Sequence, residues 1–164
     1  MTDQKLEQLP EMASTYLEHL KSLYEDVREW CAKRGLQVVE GAVEMNEQGL
    51  PHYEAPKITI TRDGAPVAEL VPLGAAIIGA RGRVDLKGRL SRHAFLFQVG
   101  RGPSITIRAT HEGSTSHDGP ARPMIQGIDG DGWYWLESHA RRAKRVDEAL
   151  FGDLLADVSD YDFQ

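Results

Sequence analysis

The sequence lacks the features that identify several large classes of protein. It has one cysteine, Cys31, among 164 residues, which excludes a framework of disulfide bonds and a zinc site built on several cysteines. No apolar run approaches the ~20 residues that a membrane-spanning helix needs, so we expect no membrane association. Residues 1–10 carry Asp3 and Glu7 and no apolar segment. We therefore expect no secretory signal and a protein of the cytoplasm.

Motifs that mark common catalytic sites are also missing. The chain has no Gly-x-Ser-x-Gly nucleophile elbow and no Gly-x-x-x-x-Gly-Lys phosphate loop. Gly79 and Gly82 lead into a predicted strand, where the backbone cannot place a phosphate at a helix N-terminus. The sequence therefore favours a protein without enzymatic activity, and we expect no cofactor.

Composition and periodicity predict one α+β domain over residues 1–164. Apolar residues make up 41% of the chain and charged residues 27%, as is typical of a folded domain. Apolar side chains recur at steps of three and four over residues 12–34, which predicts an amphipathic helix that ends at Gly35. Strand-like segments follow. We expect an N-terminal helix, a mainly antiparallel curved sheet of about six strands, and a C-terminal helix packed on that sheet.

The clearest local signal is a β-hairpin in the first half of the chain. Residues 58–61 and 67–71 alternate in polarity on either side of Asp63-Gly64, which is a common turn sequence. Before this hairpin, prolines and a glycine predict a loop over residues 46–57.

The C-terminal third contains three predicted segments. Residues 111–132 are rich in glycine and show little periodicity, which predicts a long irregular loop. Residues 138–158 have apolar side chains at helical spacing, which predicts the last helix. Residues 159–164 form an acidic tail that we expect to be frayed.

Charge divides the chain into three parts. Residues 1–50 hold five basic and ten acidic side chains, residues 51–110 hold nine and four, and residues 111–164 hold five and eleven. Such asymmetry indicates either a charged partner or pairing between oppositely charged faces of one domain.

The basic middle part contains a candidate docking surface. Residues 80–90 are predicted to form a strand, on which four cations surround Asp85 on one face while small and apolar residues occupy the other. One interpretation is an exposed sheet face whose charges prevent aggregation, and the other is a docking site for an acidic partner. With neighbouring strands and the last helix included, the candidate partner-binding residues are Arg81, Arg83, Lys87, Arg89, Arg92, Arg101, Arg141, Arg142 and Arg145.

The same strand permits a second function. Asp85-Leu86-Lys87, together with Glu69 on an earlier strand, resembles the restriction-endonuclease-like family. The resemblance implies two carboxylates that bind a magnesium ion and a lysine that assists the attacking water. Surface charge is the other interpretation of these residues. A nucleic-acid-binding or magnesium-dependent nuclease-like domain therefore stays open as the alternative function.

Histidines in the long loop are the remaining candidates for chemistry. His111, Glu112, His117 and Asp118 place four metal-binding side chains within eight residues. Their spacing matches no helical metal motif, so we predict a polar loop and assign no metal ligands, and whether the loop over residues 111–132 binds a metal stays open.

Taken together, the sequence favours a non-enzymatic protein that docks to a protein partner with an acidic surface. Its basic sheet face and long loop are the predicted contact regions. An inhibitor, an immunity-type protein, a chaperone and an adaptor all fit this description. The oligomeric state and the identity of the partner stay open.

Overall fold

A computed structural model describes residues 10–105, 108–109, 117–118, 122–137 and 141–159. The predicted α+β class is confirmed, with seven strands in the sheet rather than about six. Helix α1 spans Glu11–Lys33 and helix α2 spans Glu148–Ser159. The strands are β1 Gln37–Met45, β2 Tyr53–Arg62, β3 Ala65–Gly74, β4 Arg83–Gly88, β5 Arg92–Gln98, β6 Ser104–Ile105, β7 Arg108–Ala109, β8 His117–Asp118, β9 Arg122–Pro123, β10 Gly132–Glu137 and β11 Arg142–Arg145.

The seven-stranded sheet has the order β1-β2-β3-β4-β5-β10-β11, and all neighbouring strands are antiparallel. The short strands pair separately, β6 with β9 and β7 with β8. The chain therefore leaves the sheet after β5 and returns beside it as β10. This order places β4 at the centre of the sheet and separates it from β11 by two strands.

Helix α1 follows the predicted amphipathic pattern. Its buried side chains recur at steps of three and four and face the sheet. Gly35, with a φ of 71°, supplies the left-handed residue that ends the helix. The buried residues of α1 are Ala13, Tyr16, Leu20, Leu23, Tyr24, Val27 and Cys31.

The hairpin of β2 and β3 is also confirmed. Asp63 and Gly64, which connect the two strands, have φ values of 51° and 81°. Positive φ at both central residues is typical of a type I′ turn, whose twist matches that of the flanking strands. Local sequence is therefore sufficient to specify the turn of this hairpin.

The loop predicted over residues 46–57 is wrong in its second half. Strand β2 begins at Tyr53 and includes Pro56, which lies opposite Ala42 of β1. Pairing between β2 and β3 starts only at Ile58. At Pro56, β2 therefore pairs with β1 but not with β3. The N–H group that proline lacks is not needed for hydrogen bonds to β3.

The predicted start of the last helix is wrong as well. Residues 142–145 form β11, which pairs with β10, and α2 begins only at Glu148. The Asp147 carboxylate accepts a hydrogen bond from the Leu150 N–H at 2.8 Å and thereby caps the helix. Acidic residues at the helix start suit its dipole. Arg142 and Arg145, which the predicted helix would contain, lie instead on an edge strand.

Strand β4 is shorter than the predicted strand over residues 80–90. Upstream of it, the Arg81 N–H donates to the Phe97 carbonyl at 2.8 Å, so contact with β5 continues outside the strand. Downstream, the Gly88 N–H donates to the Ser91 carbonyl at 3.0 Å, which closes a tight turn. Arg81 and Arg89 therefore lie beyond the two ends of β4.

Both helices contribute to one hydrophobic core with the sheet. The Tyr16 hydroxyl of α1 donates to the Arg83 carbonyl at 2.5 Å. The Trp30 ring of α1 lies 5.5 Å from the Phe151 ring of α2. In the described ranges, neither helix combines the length and the apolar character that crossing a membrane would require.

The opposite side of the sheet, which we call the outer face, carries the charged residues of β4. Val84 and Leu86 are fully buried in the core. Because strand residues alternate, Arg83, Asp85 and Lys87 point to the outer face. A second small hydrophobic cluster lies beside β10 and β11 and comprises Ile128, Tyr134 and Ala143.

Two predicted segments are described only in part. Within residues 111–132, residues 117–118 form β8 and residues 122–132 are described, while the others lie outside the described residues. Of the predicted tail, Ser159 ends α2, and residues 160–164 lie outside the described residues. The mobility of the loop and the fraying of the tail stay predictions.

Candidate docking surface

Asp85 is a buried acid at the centre of the basic strand, with 2% of its surface exposed. Arg83 donates to both of its carboxylate oxygens, from Nε to Oδ1 at 2.8 Å and from Nη2 to Oδ2 at 3.1 Å. The Arg92 Nη1 lies 3.8 Å from Oδ2. The hydrogen bond to Asp85 raises the pKa of the Arg83 guanidinium further. The structure therefore pairs Arg83 inside the domain.

Three cations remain at the end of the β4–β5 hairpin, and we call Lys87, Arg89 and Arg92 the hairpin cations. All three are exposed. Lys87 and Arg92 are direct cross-strand partners, an arrangement that destabilises a strand pair when the charges are alike. Glu69, which lies opposite Lys87 on β3, already bridges Lys57 at 3.5 Å. The hairpin end is thus a concentration of positive charge.

The turn that carries these cations is anchored to helix α2. The Leu90 N–H donates to the Val158 carbonyl at 2.9 Å. Any side chain at Gly88 would collide with the backbone of Val158, so the hairpin and the helix lie in close contact at this point. The Leu90 side chain is 58% exposed beside the cations. The hairpin end therefore combines an apolar side chain with positive charge on a fixed support.

Arg81 and Arg101 lie at the opposite end of the β4–β5 pair. Both are exposed. Arg101 lies in the turn after β5, between Gly100 and Gly102, which have φ values of 63° and 78°. The two arginines therefore form a group separate from the hairpin cations.

Arg145 of β11 has a structural role. Its guanidinium donates to the Asp129 carbonyl at 2.9 Å, to the Asp131 carbonyl at 3.1 Å and to the Tyr134 hydroxyl at 2.8 Å. It also lies 5.0 Å from the centre of the Tyr134 ring, within cation–π distance. A Cβ on Gly132 would collide with this guanidinium. Arg145 thus fixes the segment before β10.

The other two predicted residues in this region, Arg141 and Arg142, are exposed. Arg141 has a φ of 45°, and its carbonyl accepts the Gln126 N–H at 3.2 Å. Arg142 begins β11. The nine predicted residues are therefore not one continuous surface. The structure brings together the hairpin cations, pairs Arg83 internally, and places the β11 residues on the sheet edge.

The nuclease-like residues share the outer face, but the two carboxylates among them are engaged with other cations. Asp85 and Lys87 alternate as the resemblance requires, and Glu69 is the cross-strand partner of Lys87. Both oxygens of Asp85, however, accept hydrogen bonds from Arg83. A magnesium ion would have to displace this guanidinium to reach the carboxylate. The geometry favours charge neutralisation over metal binding at Asp85.

Sequence reasoning missed a polar cluster that links three elements. The Trp135 indole N–H donates to His93 Nδ1 at 3.2 Å, and His93 Nε2 lies 2.6 Å from an Asp157 oxygen. Because Nδ1 accepts a hydrogen bond, the proton of a neutral His93 lies on Nε2 and faces Asp157. The Ser91 hydroxyl contacts Asp157 at 3.4 Å rather than His93. The order of contacts is therefore not that of a serine nucleophile activated by histidine. No local motif joins His93 to Asp157, which are 64 positions apart.

Several titratable side chains are buried in the core or lie half-buried beside it. Burial raises the pKa of the Cys31 thiol to about 11 and raises those of Tyr16 and Tyr24 above the ordinary value. His19 stacks on Phe97 with ring centres 3.5 Å apart, and burial lowers its pKa. Each of these shifts favours the neutral form, as expected for groups that stabilise a core.

The predicted histidine-rich loop lies largely outside the described residues. His111 and Glu112 are not described, and His117 and Asp118 form β8. Among the residues that the structure describes, no group of three or more His, Cys, Asp or Glu side chains could hold a metal ion.

Comparisons with known proteins found no match. No protein-family model, no curated protein and no solved structure matches this chain. The functional argument therefore depends on the geometry of the chain itself.

Proposed function

We propose that the protein is a non-enzymatic binding protein that docks to the acidic surface of a protein partner through its hairpin cations. The observation that carries the proposal is the cross-strand pair of Lys87 and Arg92, with Arg89 in the turn between them. Within the described residues, neither Lys87 nor Arg89 has an acidic partner.

An acidic partner would relieve the repulsion that this arrangement creates. Like charges on directly opposed strand residues cost stability in the isolated domain. Carboxylates from a partner would form ion pairs with these cations and reduce their mutual repulsion. They would also accelerate association. The exposed Leu90 offers an apolar contact at the same place. Such a combination of charge and apolar surface is suited to protein recognition.

The class of binding protein that we propose is an inhibitor, an immunity-type protein, a chaperone or an adaptor. We propose that it acts in the cytoplasm. The single cysteine, buried in α1 with a raised pKa, supports this location because the fold makes no use of oxidising conditions.

The test compares the native protein with the double variant Lys87→Glu/Arg89→Glu as bait in its host extract. We expect the variant to lose a partner that the native bait captures, and the captured partner to dissociate as salt rises, because exposed charge pairs are screened within ~8 Å at physiological ionic strength. Once identified, the partner is titrated against both baits. We expect at least a tenfold loss of affinity.

The matched control is Lys21→Glu/Arg122→Glu, which makes the same change in net charge at exposed positions outside the hairpin. It should bind as the native protein does. Equal capture by both reversed variants would contradict the proposal. So would unfolding of the hairpin variant, which would show that the cations act within the domain.

Nucleic acid is the alternative partner, because phosphates would contact the same hairpin cations. A duplex oligonucleotide and its single strand should fail to compete with the partner. Binding of either at physiological salt, or magnesium-dependent cleavage that Asp85→Asn abolishes, would favour the alternative.

A further inference from the structure

A cavity of about 600 Å³ opens beside the start of α1, far from the hairpin cations. Its walls come from Met12, from the loop between β3 and β4, and from the turn after β5. The volume lies in the range typical of small-molecule sites. The described lining is mainly apolar and includes Met12, Ile77, Ile78, Val99 and Pro103.

The loop that forms this cavity is held in place from several sides. The Glu47 carboxylate accepts hydrogen bonds from the Ala76 N–H at 2.8 Å and from the Tyr53 hydroxyl. The Gln98 amide, which is buried, donates to the Gly79 carbonyl at 3.1 Å. The loop therefore has a defined shape before any ligand arrives. A ligand would bind without the cost of ordering it.

The apolar walls of the cavity are exposed to solvent. Ile78 is fully exposed, and Met12 and Val99 are about half exposed. Clustered exposed apolar side chains of this kind mark binding sites, because each would gain stability from contact with an apolar ligand. The walls therefore favour a ligand with a substantial hydrocarbon part.

One charged side chain stands in this apolar lining. Arg81 is the charged residue among the described residues that line the cavity, and its side chain has no acidic partner among them. A guanidinium binds carboxylates through two parallel hydrogen bonds. The cavity thus offers an anion-binding group beside an apolar surface.

We infer that this cavity binds a fatty acid, with its carboxylate on Arg81 and its alkyl chain along Ile77, Ile78 and Met12. The inference is independent of the proposed docking function, because the hairpin cations lie at the other end of β4.

The test uses three ligands with the same ten-carbon chain, each measured calorimetrically below its micelle concentration or, for decan-1-ol, below its solubility limit. Decanoate should bind one per chain, decan-1-ol should bind about tenfold more weakly, and decyltrimethylammonium should bind more weakly still. Arg81→Gln should reduce the affinity for decanoate to that for decan-1-ol. Arg81→Glu should reverse the preference between the two charged ligands.

Two further variants make the outcome decisive. Lys21→Gln removes one exposed cation of α1 that does not line the cavity and should leave decanoate binding unchanged. Met12→Glu places a carboxylate in the wall at an exposed helix position and should weaken decanoate binding even if the Arg81 variants fold poorly.

Absence of decanoate binding, or equal binding of the three ligands, would overturn the inference. It would also be overturned if Arg81→Gln bound decanoate normally. A dimer that Ile78→Asp dissociates in sedimentation experiments, with no decanoate binding, would show that a second copy covers the cavity instead.

Discussion

Arg83 binds both carboxylate oxygens of Asp85, two residues away on the same strand, and leaves that acid almost inaccessible to water. The pair places an ionic contact on the outer face of an otherwise basic strand. Among the cations of this strand, Arg83 therefore stabilises the domain. The others lie exposed at or beyond the ends of β4.

Replacing Asp85 by Asn should destabilise the protein. The change removes the charge that Arg83 and Arg92 share, and hydrogen bonds to charged groups contribute about 1.5–3 kcal/mol. The free energy of unfolding in urea measures the loss. Glu69→Gln, at a side chain that is 40% exposed and bridges Lys57, should cost about 1 kcal/mol or less. Equal losses would contradict a special role for Asp85.

Replacing Arg145 by Ala should loosen the segment before β10. The variant loses the contacts to the Asp129 and Asp131 carbonyls. We expect faster hydrogen exchange at the Gly130 N–H, which donates to the Gly100 carbonyl at 2.8 Å. Arg142→Ala, on the same strand, is the control and should leave that exchange rate near its native value.

Replacing Asp147 by Ala should cost about 1 kcal/mol, because Asp147 caps the first turn of α2. Chemical denaturation measures this loss. Asp153→Ala, at an exposed position within α2, should cost less. A helix that began near residue 138 would place both acids in its interior, and the two variants would then behave alike.

The Cys31 thiol should react slowly in the folded protein. Its pKa is raised to about 11 from 9, so at pH 8 roughly a hundredfold smaller fraction is thiolate. The folded state holds this proton more tightly than the unfolded state. Stability should therefore be insensitive to Cys31 below pH 9 and should fall as pH rises from 9 toward 11. Alkylation rates with and without urea, over that pH range, measure the effect. Comparable rates in both states would contradict it.

Elements with local signals could be predicted from the sequence. The Asp63-Gly64 turn needs only residues that tolerate positive φ, and helix α1 needs only its own apolar spacing. Both were found for this reason. The alternation around Asp85 likewise predicted that Arg83 and Lys87 share its face.

The remainder depends on partners that are distant in sequence. Ala143 looks helical by its spacing from Val146 and Leu150, yet its conformation is set by pairing with Leu136 on β10. Pro56 looks like a strand breaker, and is tolerated because β3 does not pair with that part of β2. The contact between His93 and Asp157 has no sequence signature, since it joins β5 to α2.

The hydrogen bond from Leu90 to Val158 makes the last turn of α2 dependent on the hairpin. A helix ends with carbonyl groups that lack partners, and here one of them is satisfied by a backbone group from the sheet. A force that acts on the hairpin tip therefore acts on the helix terminus as well. The proposed docking site and the C-terminal end of the described chain are therefore mechanically coupled.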